Sequence, residues 1–224
     1  MKHSSSPRAA SRSSCSRFAL PALCALLAAA AALADSPPPS GPLSGRDLLA
    51  ALQGGGYVIL MRHASSPGKA PDAAQANADN VRQERQLDAA GITTARGMGG
   101  ALRRLRIPIG EVLSSPTYRA LETVKLAELG RPVTAPELGE GGAGMVRDAS
   151  GARASWLKTR VAQTPPAGKN TLIVTHYPNI AEAYPEAAKG LAEGEALILH
   201  RDGRGGALLV ARVKIDEWAS LATR

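Results

Sequence analysis

The apolar positions fall into short runs separated by polar, Gly- and Pro-rich stretches, and their spacing alternates between two kinds. Tyr57 to Met61 is a continuous apolar run, bounded by Gly54-Gly55-Gly56 before it and the polar stretch from Ala64 to Gln86 after it. That is the profile of a buried parallel strand over 57–62. Glu111 to Ser114 and Thr171 to Thr175 read as further strands, and Val133 to Ala135 as a short one. Ala196 to Leu199 and Ala207 to Val213 read as a pair joined by a Gly-rich turn. Ile92, Ala95, Met98, Leu102 and Leu105 keep to one face at steps of three and four, predicting a helix over 91–105. Gly97, Gly99 and Gly100 inside it point to close packing on a sheet. Ser44 is placed to cap a helix over 46–53. Ser115 as cap and Pro116 at the first position open another, running to Leu129 with Gly130 as its stop. Helices are also predicted over 152–162 and 215–222. Strands alternating with helices imply an α/β, three-layer sandwich: a mostly parallel central sheet flanked by helices on both faces. The 64–86 stretch is long for a connection and suits a lid or an inserted loop.

The N-terminus has a different character. Lys2, Arg8, Arg12 and Arg17 precede the Ala/Leu-rich run Phe18 to Ala32, and Ala32-Leu33-Ala34 has the small-x-small form of a cleavage site. Residues 1–34 read as a signal peptide, because the apolar run falls short of the roughly 20 residues a bilayer needs. Pro/Ser-rich residues 35–44 read as a linker, and 45–224 as one catalytic-sized domain. Export to the periplasm or medium, with no stable membrane insertion after cleavage, is the expectation. Both cysteines, Cys15 and Cys24, lie in the removed segment, so the mature domain suits an oxidising compartment. The formal charge of the chain is +8; without the four leader cations, 23 Lys and Arg face 19 Asp and Glu. That modest positive balance fits an anionic substrate. Nucleic acid is an unpromising partner, since six aromatics remain and no basic run interleaves with them.

Three strand exits carry the chemistry. Arg62-His63 follows the first strand, Arg119 lies in the first turn of the helix after the second, and His176 follows the strand 171–175. In open α/β sheets, ligands sit beyond the carboxyl ends of such strands. A cation at a helix N-terminus opposes the macrodipole, a cost that makes sense if Arg119 shares an anion with the free backbone N–H groups. The bland alternative is an Arg119–Glu122 pair on the helix surface. Two guanidiniums and two imidazoles make a poor metal site, because the neighbouring cations oppose a bound cation. The same four groups suit a tetrahedral dianion. Ser65 and Ser66 offer hydroxyls to such an anion or form the turn with Pro67-Gly68. Arg85 reads as a solvated charge, with reach into the pocket from the loop as the alternative; His200 reads as solvated, and Trp156 and Trp218 as packing.

Arg62-His63-Ala64, Leu87 and Gly91, Ser114-Ser115-Pro116 with Arg119-Ala120 and Glu122-Thr123, and finally His176 resemble the histidine phosphatase (phosphoglycerate mutase-like) superfamily. The resemblance runs from about residue 57 to 213. It implies His63 as nucleophile, forming a phosphohistidine, with Arg62, Arg119 and His176 binding the phosphoryl oxygens. It implies no metal and no cofactor, because the arginines supply the charge. The expected function is an exported phosphomonoesterase acting on a small phosphorylated substrate such as a sugar, glycan or organic phosphate. A catalytically idle phosphate- or anionic-glycan-binding domain on the same fold is the alternative. The leaving group also needs a proton donor. Glu140 in Leu138-Gly139-Glu140 best resembles the acid-bearing segment, with Glu137 and the loop acids Asp72, Asp79 and Glu84 behind it. The chain departs from the pattern in Ala64, where glycine is usual, and in Tyr177-Pro178-Asn179 after His176.

Overall fold

The computed structural model describes residues 39–140 and 151–223, all within the unit that runs from Ser36 to Arg224. The signal-peptide reading, and residues 35–38 of the linker, lie outside the described residues. Among the described residues, six strands form one sheet: β1 (Tyr57–Arg62), β2 (Ile109–Ser114), β3 (Val133–Thr134), β4 (Asn170–Thr175), β5 (Ala196–Arg201) and β6 (Ala207–Val213). Their order is β3-β2-β4-β1-β5-β6. The first four are parallel, and β5 and β6 complete the sheet as an antiparallel pair beside β1.

The alternation of side chains along β1 divides the core in two. Ile59 and Met61 face a layer containing α1 (Gly45–Gly54), α2 (Ala89–Arg104) and α3 (Tyr118–Ala127). Val58 and Leu60 face the opposite layer, containing α4 (Ala152–Val161) and α5 (Tyr177–Ala183). Because every residue from Val58 to Met61 is buried on one face or the other, the strand is apolar throughout rather than alternating. Among the described residues, no helix is long and apolar enough to cross a membrane.

The register fixes what emerges from the top of the sheet. Arg62 pairs with Thr175 across β1 and β4, and Ser114 with Val174 across β2 and β4. The ladder continues one residue further: His63 N–H donates to Thr175 O at 3.0 Å, and Ser115 N–H to Val174 O at 2.9 Å. At the opposite end the buried Asn170 joins three elements. Its Nδ2 donates to Leu52 O (2.7 Å) and Pro108 O (3.0 Å), and its Oδ1 accepts from Tyr57 N–H (3.2 Å).

Several local expectations are corrected. Asp88 caps α2, accepting from Gly91 N–H at 2.7 Å. Gly99 packs against α3 rather than the sheet: a Cβ there would lie 1.8 Å from Ala127 O. The helix expected from Pro116 starts at Tyr118, with Thr117 at its N-cap, and stops at Ala127 with Glu128 in the left-handed region. Ser44 sits at the N-cap of α1, but its side chain makes no capping bond. The predicted C-terminal helix is only a 3-10 turn, Trp218–Ser220, anchored by the fully buried Trp218. Conversely α5 begins directly after His176, where Tyr177-Pro178 gives no apolar periodicity to announce it.

Candidate active site

Four of the five residues singled out from sequence meet above the carboxyl ends of β1, β2 and β4. Arg119, 4% exposed, is the centre. Its Nε donates to His63 Nε2 at 3.2 Å, and its Nη2 lies 3.0 Å from His176 Nδ1 and also donates to Glu140 Oε2. The other carboxylate oxygen of Glu140 is 3.3 Å from His176 Nδ1. The two imidazoles stand edge to face, 5.3 Å between centroids.

The partners assign the tautomers. His63 Nδ1 faces Ala64 O at 2.8 Å, where only a donor fits, so its Nε2 carries the lone pair. His176 Nδ1 accepts from Arg119, so its Nε2–H donates to Ser115 Oγ at 2.8 Å, with Thr117 Oγ1 3.3 Å away. Burial holds both rings neutral, and the charge of Arg119 adds to it: His63 is lowered to about 4 and His176 to about 2.

Surrounding side chains hold these groups in place. Thr123 Oγ1 accepts from Ala64 N–H (3.1 Å) and donates to Arg119 O (2.8 Å), tying the β1 exit to α3. The segment that delivers Glu140 is fixed by Thr175 Oγ1, donating to Leu138 O at 2.7 Å. Asn179 Nδ2 adds bonds to Glu137 O and Gly139 O at 3.0 Å each. Sequence reasoning passed over Thr117, Thr175 and Asn179 in these roles, and read Ser115 as a helix cap. The one signal for them was proximity to Pro116 and His176.

Other expectations change. Arg62 does not bond to the cluster: its Nη2 donates to Glu193 Oε1 at 2.9 Å, and its guanidinium lies 5.8 Å from the Tyr177 ring centroid. Its charge still helps to lower both histidines. Arg119 does not pair with Glu122, which accepts from Leu87 N–H and Asn77 Nδ2, both at 2.8 Å. Nor are the first-turn amides of α3 all open, because Glu84 Oε2 accepts from Tyr118 N–H at 2.8 Å. Ser65 and Ser66 spend their hydroxyls on Asp88 and the carbonyl of Gln86. Hydrogen bonds thus tie the 64–86 stretch to itself and to the start of α2. Of the rival acids, Asp79 bonds to Tyr118 and Lys125, and Glu84 to the Tyr118 N–H, whereas Glu140 bonds to Arg119 in the cluster.

Arg85 is half-buried, held by Pro67 O at 2.7 Å and Ser66 O at 3.3 Å, and near enough to lower Arg119 and His176. It is not the solvated charge expected. His200 likewise lies within β5 against Tyr57, with 4.9 Å between rings. His63, Glu140 and His176 present possible ligand atoms within 4.8 Å of one another. Arg119, however, directs its N–H groups at the lone pairs of both imidazoles, so a cation would have to displace a cation.

No protein-family model matches the chain, and no curated protein matches it at a significant level. Solved structures do. The protein histidine phosphatase SixA, in complex with tungstate, aligns with a TM-score of 0.51 at 20% identity, over 71% of this chain and 97% of that one. The fold is that of the histidine phosphatases. A phosphoserine phosphatase mutant from Entamoeba histolytica, in complex with phosphoserine, is also similar: 15% identity, TM-score 0.48, over 71% of this chain and 97% of that one. Within the histidine phosphatase fold, the cluster around Arg119 lies beyond the carboxyl ends of the parallel strands.

Proposed function

We propose that the protein is a phosphomonoesterase that works through a phosphohistidine on His63. The observation that carries this reading is the orientation of one lone pair. His63 Nδ1–H is committed to Ala64 O, which leaves Nε2 as a neutral nucleophile beside the guanidinium of Arg119. The tungstate held by the SixA protein, a tetrahedral oxyanion, is in keeping with phosphoryl binding on this fold.

A phosphoryl group entering the cluster takes Arg119 from Glu140. Phosphoryl transfer asks chiefly for positioning and charge stabilisation, which Arg119, with Arg62 and Arg85 nearby, supplies. His63 Nε2 attacks phosphorus in line, the P–O ester bond breaks, and the Glu140 carboxyl gives its proton to the leaving oxygen. Water then attacks the phosphohistidine, Glu140 takes its proton, and the P–N bond breaks to release phosphate. The arginines perform the charge neutralisation that a metal performs elsewhere, so the reaction proceeds without one.

The reading extends to location. Residues 1–34 act as a cleaved signal peptide, residues 35–44 link it to the domain 45–224, and the substrate is a small phosphate ester met outside the cytoplasm. The test is trapping of acid-labile, radiolabelled phosphate on the full-chain protein, with turnover of p-nitrophenyl phosphate in parallel. Wild type should label and turn over; His63→Ala should do neither. Phosphate binding without labelling or turnover would establish the idle binding domain instead.

A further inference from the structure

Arg62 leaves β1 directly before His63, and both of its terminal nitrogens are engaged by groups outside the cluster of His63, Arg119, Glu140 and His176. Nη2 donates to Glu193 Oε1 at 2.9 Å, and Nη1 to Leu191 O at 3.3 Å. The second oxygen of Glu193 accepts from Ser66 N–H at 3.2 Å. One carboxylate therefore spans His63, gripping the residue before it and the residue three after it. The two side chains are 24% and 26% exposed, so solvent screens the pair only in part.

One donor is left over. Arg62 Nε is buried and has no partner among the described residues. A buried N–H without an acceptor carries a desolvation cost, which an acceptor brought in by a ligand would relieve. A guanidinium free to turn would relieve that cost, and the Glu193 grip prevents it from turning.

We propose that Glu193 is a positioning residue: its carboxylate clamps Arg62 and the Ser66 amide together, so that Arg62 presents its open Nε–H to an oxygen of the bound phosphoryl group. This rests on the phosphoryl-binding part of the reading above, and Glu193 itself touches no substrate. A carboxylate beside an anion site also repels the anion, which separates the proposal from its rival. A mere counter-charge would weaken phosphate binding, and removing it would tighten binding. A clamp does the reverse.

The experiment is calorimetric titration of the full-chain protein with inorganic phosphate, which needs no turnover. Glu193→Ala should weaken phosphate binding by about tenfold, the worth of one charge-assisted hydrogen bond. Glu193→Gln keeps one acceptor oxygen, enough for Arg62 or for the Ser66 N–H but not for both, so it should fall between wild type and Glu193→Ala. The double variant Arg62→Ala, Glu193→Ala should bind no more weakly than Arg62→Ala alone. Arg62→Lys keeps the charge but lacks the Nε–H, so it should lose about the same tenfold even if Glu193→Ala fails to fold. Unchanged or tighter binding in Glu193→Ala overturns the proposal, as does full affinity in Arg62→Lys or additive losses in the double variant. Absence of phosphate binding by wild type overturns it too. If phosphate binds as proposed but His63 takes no label, the clamp stands and the hydrolytic reading falls.

Discussion

Acidification should destabilise the folded state through its two buried histidines, and the size of the effect follows from their surroundings. A free imidazole titrates near 6.5; folded, His63 is lowered to about 4 and His176 to about 2, burial being the main cause. Between 6.5 and those values the unfolded chain binds more protons than the folded one, so stability is complete above 6.5 and declines as pH falls through the window. At pH 5 each ring contributes a loss of about 2 kcal/mol relative to pH 8, about 4 kcal/mol together. That is a large share of the roughly 5–15 kcal/mol by which domains are stable. Urea unfolding of the full-chain protein between pH 8 and pH 5 measures it. His63→Asn and His176→Asn should each remove about half of the slope, and the double variant nearly all of it. A double variant with the wild-type slope would show that carboxylates elsewhere govern the acid response, and that the two rings are not buried neutral as described.

Other expectations are local. Thr123→Val leaves the buried Ala64 N–H without its acceptor and should cost about 1–3 kcal/mol in urea unfolding, with a loss of turnover because Ala64 adjoins His63; Thr123→Ser should restore both. Gly99→Ala should destabilise by roughly 1–3 kcal/mol or more, since the new Cβ meets the backbone of Ala127. Gly97→Ala, with open space around the position, should stabilise by about 0.5–1 kcal/mol, and thermal melts of the two variants should move in opposite directions. Arg85→Ala should raise the inhibition constant of inorganic phosphate by roughly tenfold, because among the described residues this guanidinium bonds to main-chain carbonyls, which leave its charge available to an anion.

What could be read in advance was what depends on short-range pattern. β1 spans 57–62 as expected, because an uninterrupted apolar run before a polar break has one good solution in a covered sheet. The order of strand exits then brought His63, Arg119 and His176 to one end. What could not be read depends on partners distant in sequence. Ser115 looks like a helix cap, but His176 takes its hydroxyl from 61 residues away, and the helix starts later. Arg85 looks like a surface charge until the carbonyls of Ser66 and Pro67 turn it inward. Arg62 looks like a phosphate ligand on both forks until Glu193 takes one of them. Residues 215–222 keep apolar spacing, yet the burial of Trp218 needs only a single turn.

Asn170 sits as far from the histidines as β4 allows, and its amide is spent on the chain just before β2, on the start of β1 and on the end of α1. Strands anchored at their tails cannot slide, and a slip of one residue, about 3.3 Å, would already separate the rings above. The register that brings His63 and His176 together is thus held in part at the foot of the sheet, at the far end of β4 from the rings. Loop positions at the top that do not touch either ring can consequently vary without shifting the register beneath them.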